Sequence, residues 1–535
     1  MVPKAPVAAE FGRGPKIEHD QSTALAGRQP RQIMSNAPVL NLGGWCTIDG
    51  MASGNALHLP ACHLVTHCVV VGMTGSGKTG LITVMVEEAI GSGVPVIVID
   101  VKGDLPNLLL TPRNFDSASP LPWAEVTGDA GSAASLESEM TRSQERQKAL
   151  AAAGIGEPEL RKFCDTTSIR VITPGATAGE SLHVLSALER RSSRWDTDPE
   201  SARSALSAAL SLVLRLLGRD PDPAKSREHV LLSVFAERRL AAGQNADIGS
   251  LMQDLTNPPI TQIGALAVNS FLKKRERANL AAALNNLLAS PTFCSWRKGT
   301  SLDIAEWVAP KNGRTPAVIV SVAHLDEEER ALVLGVLLEE ILSWVRGLPG
   351  SERLKALVVF DEVYGFLPPH PANPPTKRPI VALMKQARAF GVGVVVATQN
   401  PMDLDYRALS NAGIWCIGRL QTDAARTRVL DGLAGASQNK NQSEVDLGRT
   451  VQRLAPRWFI VKNAHAASVG PVLLTPRQTM SIMRGPMTRN EILQARQARA
   501  SLEGVELPPI SIARPQAVIE MPESVRPKTF AFTDA

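Results

Sequence analysis

The run Gly72-Met-Thr-Gly-Ser-Gly-Lys78-Thr79-Gly80 constrains the fold more than any other part of the chain, because it ties three elements to one geometry. It fits the pattern GxxxxGK[ST] in full. An apolar run, HCVVV, precedes it and a helical pattern, LITVMVEEAI, follows; this strand–loop–helix context is the one a phosphate-gripping loop requires. Glycines let the backbone curl with successive N–H groups facing inward, and the N-terminus of the next helix favours an anion. Gly72, Thr74, Gly75, Ser76, Gly77, Lys78, Thr79 and Gly80 are therefore the candidate nucleotide-binding residues. Lys78 is expected to reach the β and γ phosphates of ATP, and the Thr79 hydroxyl to ligate Mg2+.

The rest of the chain surrounds this loop with short apolar runs bounded by turn residues: HCVVVG, VPVIVID, SIRVITP, AVIVSVA, ALVVFDE, GVVVATQ and GIWCIGRL. Helical patterns fill the gaps, so the expected fold class is α/β, a mostly parallel sheet with helices on both faces. RWFIVKN and GPVLLTP read as a closing hairpin. Asp326 and Glu329 have the spacing of a capping pair ahead of a long helix. Strand patterns almost vanish from about 183 to 310, where Leu206, Leu210, Val213, Leu214 and Leu217 share one helical face. The expected organisation is a flexible arm over 1–40, the P-loop half of the core over 41–182 and a helical insertion over 183–310. The second half of the core follows over 311–490, and a helix with a Pro-rich, flexible tail over 491–535. The basic run KKRER at 273–277 reads first as a solvated helix face and second as a nucleic-acid contact.

ALVVFDE ends in the second half of the expected site. Asp361, at a strand's C-terminal end, is the candidate second Mg2+ ligand. Glu362 is the candidate general base, polarising a water for attack on the γ-phosphate. That pair predicts hydrolysis and opposes a P-loop kinase. Gln399 ends another strand and is the candidate γ-phosphate sensor. Asp100, Lys102 and Asp104 close VPVIVIDVKGD, at the strand end where ligands collect in open α/β sheets; the residues alone leave open whether they touch nucleotide or only cap a helix. A cation given by one subunit to its neighbour's γ-phosphate is a large contribution to rate in such ATPases. Arg388 is the preferred candidate for it and Arg419 the second. ACHLVTHC brings cysteine and histidine close together but lacks paired Cys-x-x-Cys spacing, so a zinc site is not expected.

Composition excludes some classes. With 44% hydrophobic and 20% charged residues the chain is not a disordered one, and a net charge of +5 over 535 residues permits contact with phosphate backbones without demanding it. Six scattered cysteines form no disulfide framework, which points to a reducing, cytoplasmic setting. No apolar run approaches the roughly eighteen residues of a membrane span, so no membrane role is expected of the chain by itself.

THCVVVGMTGSGKTG, VIVIDVKGDLPNLLL, ALVVFDEVYGFLPP, KQARAFGVGVVVATQNPMDLDYRALSNAGIWCIGRLQTD, RWFIVKNAH and MSIMRGPMTRNEI occur in this order, and together they resemble HerA-type ATPases of the HerA and FtsK group of P-loop translocases. The resemblance implies a RecA-like P-loop core that assembles as a homo-oligomer, a hexameric ring. It also implies ATP hydrolysis between subunits and movement of double-stranded DNA through the pore. It assigns Lys78 and Thr79 to phosphate and metal, Asp361 to metal, Glu362 to the base, Gln399 to the sensor and Arg388 to the finger in trans. Members often work beside a nuclease or another effector in DNA end processing or phage defence. The N-terminal β-barrel that docks the nuclease in archaeal relatives is not expected here, since the roughly 65 residues ahead of the loop are too few for a full barrel plus the flexible arm. A reading from another class is a nucleotide-controlled oligomeric scaffold that regulates a partner effector without moving DNA.

Overall fold

A computed structural model describes residues 38–48, 52–115, 133–434, 448, 450–466 and 470–503. The expected arm up to residue 37 and the Pro-rich tail from 504 lie outside the described residues. Eleven strands form one sheet. In chain order they are β1 (Val39–Thr47), β2 (Ala52–Pro60), β3 (Cys68–Val71), β4 (Val96–Asp100), β5 (Thr167–Ile172), β6 (Thr315–Ser321), β7 (Ala356–Asp361), β8 (Val392–Thr398), β9 (Ile414–Ile417), β10 (Phe459–Asn463) and β11 (Val472–Pro476). Across the sheet they lie in the order β2-β1-β11-β10-β9-β3-β8-β7-β4-β6-β5.

From β9 to β5 neighbouring strands run parallel, and from β9 through β10, β11 and β1 to β2 they run antiparallel. The parallel part is apolar throughout because both of its faces are covered. Alternate residues enter two separate cores: Val69, Val71, Ile97, Ile99, Val358 and Phe360 face one, and Cys68, Val70, Val96, Val98, Leu357 and Val359 face the other. The second core is closed by the helix Lys78–Gly91 through Leu81, Ile82, Met85 and Ala89. The first is closed by the helix Glu327–Arg346, whose N-terminus carries the expected reciprocal cap of Asp326 and Glu329. The helical segment 183–310 adds to this first core and shares it with the sheet: Leu206, Leu210, Phe235, Leu251 and Leu280 are buried there beside Val358. Its only strands among the described residues are two-residue pairings, Leu182–His183 with Thr300–Ser301 and Gln262–Ile263 with Leu266–Ala267.

The β1–β2 edge hairpin has no clear sequence signal, and Gly43 explains why. It sits at φ +128°, and a Cβ there would lie 2.3 Å from Arg477 N and 2.4 Å from Thr475 O. The pairing of β1 with β2 also shifts register on either side of Gly44, so the alternation that marks a strand is broken. In the run KKRER, Lys273, Lys274 and Arg275 are exposed. Arg277 is instead buried and donates to the carbonyls of Leu255 and Leu272, which makes it a packing residue. Among the described residues no helix is long and apolar enough to cross a membrane.

Candidate nucleotide site

The parallel strands all end on one edge of the sheet, and the sequence motifs meet there. β3 carries the glycine loop, β7 the acidic pair, and β8 lies between them. Gly72 N donates to Thr398 O at the end of β8, and Met73 N to Arg419 O just after β9. The loop is thus pinned on both sides by the strands flanking β3. Gly75 and Gly77 take left-handed conformations, φ +77° and +93°, which cost a side-chain-bearing residue about 1–2 kcal/mol. Gly72 is required for space: a Cβ there would sit 2.6 Å from the Ser76 hydroxyl. Ser76 is itself buried, and its Oγ has no hydrogen-bond partner.

Leu81 N is bonded to Gly77 O, so the amides of Lys78, Thr79 and Gly80 are the orphan donors of the helix N-terminus and remain for an anion. Lys78 is 6% exposed, and its ammonium donates to Gly72 O at 2.5 Å and Met73 O at 3.0 Å. Burial, and then the charge of Lys102, push its pKa down to about 8, against the opposing pull of Glu362 and Asp361. An ammonium held this way gains stability from phosphate oxygens.

Asp361 is 1% exposed and both of its carboxylate oxygens are buried without a hydrogen-bond partner among the described residues. Burial, only partly offset by Lys102, raises its pKa to about 7, and the nearby carboxylates of Asp100, Asp104 and Glu362 push the same way. A buried carboxylate with two orphan oxygens fits a hard divalent cation, whose ligands are oxygens. Glu362, 8% exposed, adopts φ +76°, a region a non-glycine residue seldom enters outside strained functional positions. The chain then returns to the sheet as Val363 N donates to Ala397 O. Glu362 Oε1 accepts the Gln399 backbone N–H at 3.3 Å. Gln399 Oε1 accepts the Thr74 hydroxyl at 2.5 Å, so the candidate sensor touches both the loop and the candidate base.

Asp100, opposite Asp361 in the β4–β7 register, holds the turn after β4. Fully buried, it accepts Gly103 N and the Ser321 hydroxyl, each at 2.9 Å, and burial raises its pKa to about 6 against those two bonds. Lys102 reaches from that turn to the acidic pair, with Nζ 2.9 Å from Glu362 Oε2. Two further residues at the loop have no local sequence signal. Arg457, at φ +65°, donates its N–H to Ser76 O and packs its backbone over Gly77. Gly418 leaves room for Ser76 and Phe459.

The two candidate arginines part. Arg419 lies beside the loop through its carbonyl. Arg388 lies in the turn Ala387–Phe390 before β8, at the edge where the parallel strands begin, and its charge bears on His67 and His465 there. The structure does not bring Arg388 to the glycine loop of its own chain. In ACHLVTHC, the His63 ring stacks on His465 at 4.4 Å, His67 Nδ1 accepts Val394 N, and Cys68 is buried within β3.

No curated protein matches the chain. Among solved structures, similar ones include the bacterial conjugative coupling protein TrwBdeltaN70 in an unbound monoclinic form, with 12% identity over 86% of this chain and 93% of that chain, TM-score 0.46. Another is VirB4 of Thermoanaerobacter pseudethanolicus, with 14% identity over 83% of this chain and 96% of that chain, TM-score 0.44. A third is the plasmid coupling protein TrwB in complex with ADP and Mg2+, with 13% identity over 80% of this chain and 89% of that chain, TM-score 0.46. Residues 60–129, the segment that carries β3, the glycine loop and its helix, are similar to the family model described as the central domain of helicase HerA.

Proposed function

We propose that the chain is an ATP-hydrolysing motor that works as a homo-oligomeric ring, a hexamer, and moves on double-stranded DNA. The observation that carries this reading is the buried acidic pair at the end of β7, separated from the strand of the glycine loop by β8 alone, with both Asp361 oxygens unpartnered among the described residues. ATP binds with its phosphates against the amides that follow Gly77 and against Lys78. Asp361 and the Thr79 hydroxyl would hold Mg2+, which neutralises charge between the β and γ phosphates. Glu362 takes a proton from water while the water oxygen bonds to the γ-phosphorus. The bond from that phosphorus to the bridging oxygen breaks, and ADP and phosphate leave. Gln399, bonded to Thr74 through its side chain and to Glu362 through its backbone N–H, reports the γ-phosphate to the base. Arg388 serves a neighbour's triphosphate, because it lies at the opposite edge from its own loop. A partner nuclease or other effector belongs to the same reading through the family resemblance.

The test is phosphate release with and without linear duplex DNA, with Lys78→Ala and Glu362→Gln alongside. Expected are hydrolysis that duplex DNA stimulates, that Lys78→Ala abolishes and that Glu362→Gln cuts to a small residual rate, and a DNA affinity that falls steeply with salt. Hydrolysis indifferent to DNA would replace the motor by a nucleotide-controlled scaffold. A chain that neither binds ATP nor releases phosphate would end both readings.

A further inference from the structure

The carboxylate of Glu362 is held at two points of different kind. Oε1 accepts the Gln399 backbone N–H at 3.3 Å. Oε2 makes no hydrogen bond; it lies 2.9 Å from Lys102 Nζ, an ion contact without hydrogen-bond geometry, between side chains 28% and 10% exposed. A carboxylate has about four lone-pair sites, so an acceptor position stays open while charge attraction fixes the group's direction.

Lys102 is itself firmly aimed. The turn that carries it is closed by Asp100, which accepts Gly103 N and the Ser321 hydroxyl. Gly103 stands at φ +90°, and its carbonyl accepts Met487 N at 2.9 Å from the C-terminal segment. The ammonium is also the cation whose charge bears on Asp361, Asp104 and Lys78 together. An ordinary surface pair of two long side chains contributes little and is free to swing. Here both backbones are pinned, and the pair is largely out of solvent.

We propose that Lys102 is a positioning residue for hydrolysis, whose ammonium at Glu362 Oε2 fixes the base in the orientation from which its open lone pair takes the proton of the attacking water. The proposal rests on the reading of Glu362 as that base. Lys102 acts through Glu362 and is not a phosphate ligand. Its removal therefore lowers turnover and leaves nucleotide affinity in place.

The experiment measures kcat and KM for ATP, affinity for a fluorescent ADP analogue, and urea midpoints. These are taken for the intact chain and for Lys102→Ala, Lys102→Met, Lys102→Arg, Glu362→Gln and the double variant Lys102→Ala/Glu362→Gln. Lys102→Ala is expected to lower kcat by about tenfold to a hundredfold, the usual effect of a misaimed catalytic group, with KM and ADP affinity within about threefold. Lys102→Met repeats this result should the alanine variant fold poorly. Lys102→Arg recovers most of the loss, since a guanidinium also holds a carboxylate, and the double variant is no slower than Glu362→Gln alone. Unchanged kcat in Lys102→Ala, a loss confined to KM or ADP affinity, or a double variant well below Glu362→Gln would each overturn the proposal. Full turnover in Glu362→Gln removes the base assignment and the proposal together, and is distinguished from the other failures by that single variant.

Discussion

At the scale of single residues, Gly77 and His67 show how conformation and burial decide what a position tolerates. Gly77 combines φ +93° with the Arg457 Cγ and Cα atoms 3.1 and 3.2 Å from where a Cβ would stand. Alanine there has to distort the loop whose amides are proposed to grip phosphate. Gly77→Ala is expected to weaken binding of a fluorescent ATP analogue by at least about tenfold, near 1.4 kcal/mol, and unchanged affinity would show that the loop accommodates a methyl. For His67, burial first and the Arg388 charge second push the imidazole from 6.5 down to about 4, and Nδ1 must be neutral to accept Val394 N. The folded value lies below the unfolded one, so the unfolded chain binds more protons between them. Stability from the neutral ring is full above pH 6.5 and is lost as pH falls towards 4, by about 3 kcal/mol over that window. His67→Gln should therefore lose less stability than the native chain between pH 7 and pH 5 in urea titrations; parallel losses would remove His67 as the cause. That Lys78, Thr79, Asp361, Glu362 and Gln399 gather at one edge of the sheet was legible in the sequence, because each lies at the end of an apolar strand pattern or in the loop that follows one. The contact of Arg457 with Ser76 was not, since it joins residues hundreds of positions apart and Arg457 leaves no local pattern.

At the scale of elements, legibility follows burial. The parallel strands could be read as apolar runs because two cores cover them, while β1 hid behind Gly43 and Gly44, where close backbone approach and irregular register replace alternation. The long helix was readable from its cap. Asp326 accepts Glu329 N at 2.8 Å, so Asp326→Ala should cost about 1 kcal/mol, measurable as a urea midpoint shift; no shift would mean that packing alone sets the helix start. A less legible device joins the phosphate-loop helix to the strap after β11. Arg477, with 1% of its side chain exposed, donates to Glu87 Oε2 at 2.9 Å and Glu88 Oε1 at 2.8 Å, and Glu87 also accepts Met480 N, Ser481 N and the Ser481 hydroxyl. Nothing local in the sequence pairs Arg477 with Glu87. Removing the arginine takes the paired counter-charge from a buried carboxylate and leaves only the charge of Arg146 near it, a loss of up to about 3–5 kcal/mol. Arg477→Ala should therefore unfold at markedly lower urea, and Arg477→Met/Glu87→Gln, which removes the orphan charge, should recover part of the loss. A double variant as unstable as Arg477→Ala would assign the effect to lost packing.

At the scale of the whole molecule, the two edges of the sheet carry opposite halves of the proposed chemistry. The glycine loop, Asp361, Glu362, Lys102 and Gln399 gather where the parallel strands end, while Arg388 stands where β8 begins, with His67 and His465. A strand of seven residues such as β8, at about 3.3 Å per residue, separates those edges by roughly 20 Å, several times the reach of a hydrogen bond. Arg388 can therefore act on a γ-phosphate only if another copy presents its loop to this edge, and the site is then shared between chains. The prediction follows from that geometry. Lys78→Ala lacks the phosphate grip and Arg388→Ala lacks the donated cation, so each alone is expected to be inactive. In mixed assemblies, a junction at which an Arg388→Ala subunit supplies its intact loop to the arginine of a Lys78→Ala neighbour is complete. Phosphate release should therefore reappear on mixing, pass through a maximum near equal proportions, and depend on co-assembly. If mixed rings form, as judged by size, and no activity returns at any ratio, Arg388 is not the donated cation. Arg419, whose carbonyl accepts Met73 N beside the loop, would then be the other of the two candidates to test.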